Sequence, residues 1–268
     1  MSRRQQPKPV GPPAAWPREK LLALVVVAGL TCLLLVAGLV YSVGSALAPP
    51  PTPAALPHAP DAPALSRDAI AAAPMMQVPR EAAFQAVPAL TAAPPIHIPE
   101  PTIGRGPAGV PTGFPHTPQG AVGQLAAVDR LVLEQMSVPL TRDVHTAWTL
   151  DGAVGLEEWI VAGHVQSFLG NAKQGATKDV TTVIEVTPVA AQVKGTDGPD
   201  WVLACVLYDV RATIRTTSRM GYGRCERLQW HDGRWQIAPG PAPAVAPSAW
   251  PGSQVANDAG WLTWTPTP

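Results

Sequence analysis

Residues Leu21 to Val43 read LLALVVVAGLTCLLLVAGLVYSV, a run without a charge and with almost no polar side-chain atom. At about 1.5 Å of rise per residue, roughly 20 such residues cross the ~30 Å hydrocarbon core of a bilayer. Backbone N–H and C=O groups in lipid must be paired within the chain, so the run is expected to be a transmembrane helix. It sorts everything else into a short head and a long tail. The head, residues 1–20, carries Arg3, Arg4, Lys8, Arg18 and Lys20 against Glu19, whereas Tyr41 to Asp61 has neither Lys nor Arg. Basic flanks stay in the cytoplasm, which predicts a single-pass cell-membrane protein, N-terminus inside and C-terminal bulk outside. Ala46-Leu47-Ala48 mimics a signal-peptide cleavage site. The apolar run is longer than a signal h-region, however, and Pro49 follows the cut directly, so an uncleaved anchor is the expectation. Cys32, mid-span, reads as an apolar filler.

Residues 44–112 form a second block, dense in Pro and Ala, in a chain of 268 residues with 33 prolines and only 14% charged residues. Proline removes backbone donors and fixes φ, so this block is expected to be an extended spacer with polyproline II character. Within it, Ser66 to Met76 has the composition for a turn or two of helix, and Ile96 to Phe114 is apolar enough to lie along a folded domain. Gly104, Gly106 and Gly109 match the GxGxxG pattern, but no strand precedes them and Pro107 interrupts them, so no nucleotide site is inferred.

The third block, 113–240, has the pattern of an α+β domain. Thr117-Pro118 is a helix start, and Val122, Leu125, Val128, Val132 and Met136 recur three or four apart, predicting a helix over Pro118–Met136 with Asp129, Arg130 and Glu134 outside its apolar stripe. A short helix is expected over Thr141–Trp148. A third is expected to begin near Asp151, open with Glu157 and Glu158, and carry Leu156, Ile160, His164 and Phe168 on its stripe up to Gly170-Asn171. The period then becomes two. Strands are predicted over Asp179–Val193, with Pro188 at a bulge or edge, over Trp201–Thr216 and over Tyr222–Trp230. His231-Asp-Gly-Arg234 is a tight hairpin turn into Trp235-Gln-Ile237. Val202, Ala204, Val206, Tyr208 and Val210 share one strand face. Cys205, Asp209 and Arg211 share the other, as do Cys225, Arg227 and Gln229 on the next strand. Residues 241–268 form a tail whose Trp250, Trp261 and Trp264 are expected to dock back on the domain. Eight of the nine tryptophans lie at or beyond Trp148, which argues that the core is in this half.

The order of helices followed by long strands, with the closing hairpin LQWHDGRWQI at Leu228 to Ile237, resembles the nuclear-transport-factor-like (cystatin-like) cone fold. The anchor, GFPHTPQGAVGQL at Gly113 to Leu125, and the tail from Ala249-Trp-Pro-Gly252 to Ala259-Gly-Trp261 look like membrane proteins encoded on actinobacterial conjugative elements. These are similar in layout to inner-membrane assembly factors of type IV secretion. The resemblance covers about 113–264. It implies a cone-shaped domain of helices on a curved antiparallel sheet and a non-enzymatic scaffold of a DNA-transfer or secretion apparatus. Its partners would be the bilayer and other envelope or secretion-machine proteins, with homo-oligomers possible.

Relatives of the cone fold include isomerases and dehydratases, so a pocket enzyme is the alternative. His164 is its best acid–base candidate, with Asp209 or Asp151 as partner; the plainer reading is a histidine hydrogen-bonded at the core rim. No two His or Cys have metal-ligand spacing, so no metal or cofactor is expected. Zero formal net charge gives no sign of a nucleic-acid site. Cys205 and Cys225 could bridge if their Cα atoms come within about 7 Å; two reduced thiols are the alternative. Arg211, Arg215, Arg224 and Arg227, with Arg219, are expected on an exposed sheet face. That face is either a contact surface for an acidic partner or simply solvated.

Overall fold

The computed structural model describes residues 66–267. The expected head, the Leu21–Val43 span and the spacer up to residue 65 lie outside them. Among the described residues no helix is long and apolar enough to cross a membrane.

The described chain is α+β, with helices packed on a curled, mostly antiparallel sheet. Its elements are α1 (Arg67–Ala72), β1 (Pro95–Pro99), α2 (Pro118–Gln135), α3 (Val138–Trp148), α4 (Ile160–Asn171), β2 (Val183–Thr196), β3 (Trp201–Thr213), β4 (Thr217–His231), β5 (Arg234–Ile237), α5 (Gln254–Asp258) and β6 (Leu262–Thr267). The strand order is β1-β6-β2-β3-β4-β5, and only β1 and β6 run parallel.

Local chemistry explains most boundaries. The Thr117 hydroxyl accepts from the Gly120 N–H at 3.1 Å and opens α2, which ends where Met136 turns left-handed at φ 39°. Pro139 sits in the first turn of α3, where no N–H is needed. The third helix starts at Ile160 rather than near Asp151, leaving Glu157 and Glu158 exposed in the preceding turn. Its buried face is Val161, Ala162, Val165 and Leu169, one position round from the expected stripe, and His164 sits at the rim, partly exposed. Strand β2 has a register shift after Pro188. Asp232 and Gly233 both have positive φ, as a tight primed turn between β4 and β5 requires.

The spacer is not free beyond Ser66. Ala71, Ala82, Ala83, Ile96, Ile98 and Val110 are buried in it, and β1 is a strand of the main sheet. Proline is compatible with that strand because of its parity. Pro94 C=O accepts from Thr263 N–H, and Glu100 N–H donates to Thr267 C=O. Even-numbered residues therefore bond β6, and Pro95 and Pro99 face the free edge, where a missing donor costs nothing and discourages pairing with another chain. The tail does more than dock: β6 lies between β1 and β2.

Both faces of the sheet are covered. The inner face packs Val202, Ala204, Val206 and Tyr208 against α2, α3 and α4. The outer face, expected to be exposed, buries Trp201, Leu203, Cys205, Leu207 and Cys225 beneath Ala71, Ala246, Ala249, Ala256 and Trp261. Glycines make this close approach possible. A Cβ on Gly221 would sit 1.9 Å from the Ala249 carbonyl oxygen, and one on Gly223 2.5 Å from that of Pro247. Large aromatic area drives the packing: Trp148, Trp159, Trp201, Trp235 and Trp261 are all fully buried.

Candidate functional site

The polar centre of the domain is a charge cluster on the inner face, and its hub is Asp129, expected outside the apolar stripe of its helix. Asp129 of α2 is fully buried. Its Oδ1 accepts from Arg224 Nη1 of β4, and its Oδ2 accepts from the Tyr208 hydroxyl of β3 at 2.8 Å. Arg224 Nη2 donates to Glu226 Oε2 at 2.5 Å, and the Trp159 indole N–H reaches the same oxygen at 3.2 Å. Glu226 Oε1 accepts the Arg227 backbone N–H at 3.1 Å. The Arg224 guanidinium also lies over the Trp159 ring, 5.5 Å from its centroid.

Burial weakens the charged forms, and the cluster answers with opposite charges. It raises the Glu226 carboxyl above its ordinary value, with Arg224 pulling the other way. On Arg224 burial lowers the value, but Asp129 and Glu226 together more than offset it, and the net shift is upward. The Tyr208 hydroxyl is pushed well up by burial and then by Asp129. Every carboxylate oxygen in the cluster has a donor within the domain. Such a cluster ties α2 and α4 to β3 and β4; breaking one member strands the others in a dry interior.

The spacing that reveals Asp129 is present in the sequence. It stands seven after Val122, four after Leu125 and three before Val132, inside the apolar stripe, not outside it. Likewise Arg224 and Glu226 share strand parity with Tyr222 and Leu228, which face the helices.

His164 does not meet Asp209. Its Nδ1 is 2.9 Å from the Tyr222 hydroxyl. Partial burial lowers the histidine's pKa, Arg224 lowers it further, and Asp129 works against both. Burial also raises the Tyr222 hydroxyl. Asp209 points to the other face of β3 and binds Arg219 through two hydrogen bonds, at 2.6 and 2.7 Å, with Arg211 Nη2 at 3.7 Å. The alternative acid–base pair is thus divided by the sheet.

The five arginines do not form one exposed stripe. Arg211, Arg215 and Arg219 are exposed towards the β3–β4 turn, and Arg219 stacks over Trp250 at 4.6 Å. Arg224 faces inward. Arg227 faces outward but is 2% exposed, covered by α1, whose Asp68 accepts from its Nη1 at 2.6 Å. The strand parity of Arg227 was legible in sequence; its cover was not, because that cover comes from the proline-rich segment. Cys205 and Cys225 are directly opposite on β3 and β4, with Cα atoms 4.0 Å apart, and are joined in a disulfide within the outer core. Among the described residues no group of three His, Cys, Asp or Glu could hold a metal ion.

No family model, no curated protein and no solved structure matches this chain.

Proposed function

We propose that this protein is a membrane-anchored, non-enzymatic scaffold of a conjugative DNA-transfer or secretion apparatus. The Leu21–Val43 run holds it in the cell membrane. The α+β domain, in this reading a nuclear-transport-factor-like cone, works outside and acts through contacts with other envelope proteins or with copies of itself. The observation that supports this best is the use of the interior charges. Asp129, Arg224 and Glu226 satisfy one another, and Trp159 and Tyr208 fill the space around them. A proton-transfer site needs a titratable group open to substrate, and these carboxylates are buried and hydrogen-bonded within the domain. The disulfide in the outer core agrees with an oxidising, exported setting.

The alternative, an isomerase- or dehydratase-like enzyme, depends on His164 with Asp209. It is weakened because Asp209 is engaged by Arg219 on the opposite sheet face.

The test is made in cells that carry the transfer apparatus. The full-length chain is expected to stay with membranes through high-salt and alkaline washes. A cysteine-free reporter fused at the C-terminus should be active only outside. Cross-linking in intact cells should join the domain to envelope subunits of the apparatus, and deleting the gene should reduce transfer. Release by salt, a mature N-terminus near residue 49, or unchanged transfer in the deletion strain would each refute the reading.

A further inference from the structure

Strands β2 and β6 separate in mid-sheet. They pair only through Ala190–Thr263 and Ala191–Leu262, although β2 reaches back to Val183 and β6 runs on to Thr267. The fork holds a cleft of about 440 Å3, lined by Ala127, Leu131 and Glu134 of α2 and by Pro188, Trp264 and Pro266 of the two strands. Among the described residues no strand pairs with Val183–Pro188 on this side.

Parity fixes what the fork presents. The Val186 N–H donates to Glu134 Oε1 at 3.4 Å, so the even-numbered residues of this stretch turn their backbone groups away from β3 and into the cleft. That distance is long for an N–H···O bond, and the carboxylate stands where a neighbouring strand's carbonyl would lie. Pro188 falls at the same parity and brings an acceptor without a donor. On β6, Thr263 and Thr267 bond the β1 side, so Trp264 and Pro266 face the cleft. Side chains alternate as well: Ile184 and Val186 are buried on the inner face, while Glu185 and Thr187 are exposed on the outer one. Arg211, the cross-strand neighbour of Glu185 on β3, lies instead 3.7 Å from Asp209. Glu100, exposed beyond the end of β1, also lines the cleft.

We propose that the fork admits one extended segment of a partner protein, paired with the β2 edge, its β-branched side chains inward and its Lys or Arg side chains outward. A carbonyl of that segment replaces Glu134 at the Val186 N–H, and the matching N–H meets the Val186 C=O. Inward side chains lie against Ala127 and Leu131, and an outward basic one stands across from Glu185. The chain's own residues 44–65 do not qualify, being studded with proline and without Lys or Arg. Nor does a second copy, since symmetric pairing of two β2 edges would set Glu185 against Glu185. The inference rests on the scaffold reading for the partner's class. Its own readout, peptide capture in vitro, is independent of anchoring and transfer.

The experiment uses the full chain in zwitterionic lipid nanodiscs and fluorescence anisotropy of the labelled peptide Thr-Val-Lys-Val-Lys-Val-Thr, empty discs being subtracted. Saturable binding of one peptide per chain is expected. The same peptide with Glu for both Lys, or with N-methyl groups on its valines, should bind at least about ten-fold more weakly, the scale of one hydrogen bond to a charged group. Glu185→Lys, at an exposed position, should reverse the preference and favour the Glu peptide. No saturable binding below about 1 mM, equal capture of the N-methylated peptide, or an unreversed preference in Glu185→Lys would overturn the proposal.

Discussion

Asp129 and Arg224 stand 95 residues apart in the chain and hydrogen-bond in the centre of the domain, where their side chains are 0% and 2% exposed. The contact couples the first long helix to the fourth strand and positions Tyr208, Glu226 and Trp159 around it. Removing one member of a buried pair leaves an uncompensated charge, typically at a cost of about 3–5 kcal/mol. Asp129→Ala is expected to lose that much in urea denaturation followed by far-ultraviolet circular dichroism. Asp129→Leu combined with Arg224→Met and Glu226→Gln should recover most of it, because no unpaired ion then remains. A single variant that unfolds at the wild-type midpoint would remove the cluster from its structural role.

His164 ties stability to pH in a definite direction. Its folded pKa lies below the ordinary value of about 6.5, so the unfolded chain takes up the proton first. The contribution is therefore complete above about pH 6.5 and is lost as pH falls through the folded value. Unfolding free energy should decline on acidification below that point, and the decline should be shallower in His164→Gln. Proton NMR of the His164 ring would report the lowered midpoint directly; a midpoint at or above the free-histidine value would contradict the geometry.

The disulfide between Cys205 and Cys225 closes a segment with a sequence separation of 20 residues across two adjacent central strands. A loop of that size gives roughly 3 kcal/mol in the chain-entropy account. The double variant Cys205→Ala, Cys225→Ala should fall short of wild type by about this amount. Denatured full-length protein should accept one maleimide, at Cys32, before reduction and three after it, since the sequence holds three cysteines. Three labels without reductant would mean that the thiols are free.

Gly223 lets the tail lie directly on β4, its N–H donating to the Ser248 hydroxyl oxygen at 3.0 Å. A Cβ there would meet the Pro247 carbonyl oxygen at 2.5 Å and the Trp261 ring at 3.1 Å. Gly223→Val should cost about 1–3 kcal/mol by overpacking. Hydrogen exchange should also quicken over Ala244–Trp261, while α2 keeps its protection. Unchanged exchange in the tail would show that the contact is not what seats it.

Local signals were strong where a residue's neighbours in sequence are also its neighbours in space. Thr117-Pro118 gave the start of α2, Asp232-Gly233 gave the turn between β4 and β5, and alternation put Cys205 and Cys225 on matching faces. Register then set those cysteines opposite one another, which spacing alone left open.

What the chain determines by itself is periodicity: which stretches are helix or strand, and which side chains share a face. Tertiary structure alone decided what each face meets. The outer sheet face became a second core because the proline-rich segment and the tail fold over it, and β1 joined the sheet because its prolines fall at the parity that faces the open edge. Arg227 became a buried charge because α1 covers it, and Asp129 because α2 packs that side on β3 and β4. The free energy of a charge depends on partners brought from distant parts of the chain, here Arg224 and Asp68, and no local pattern encodes them.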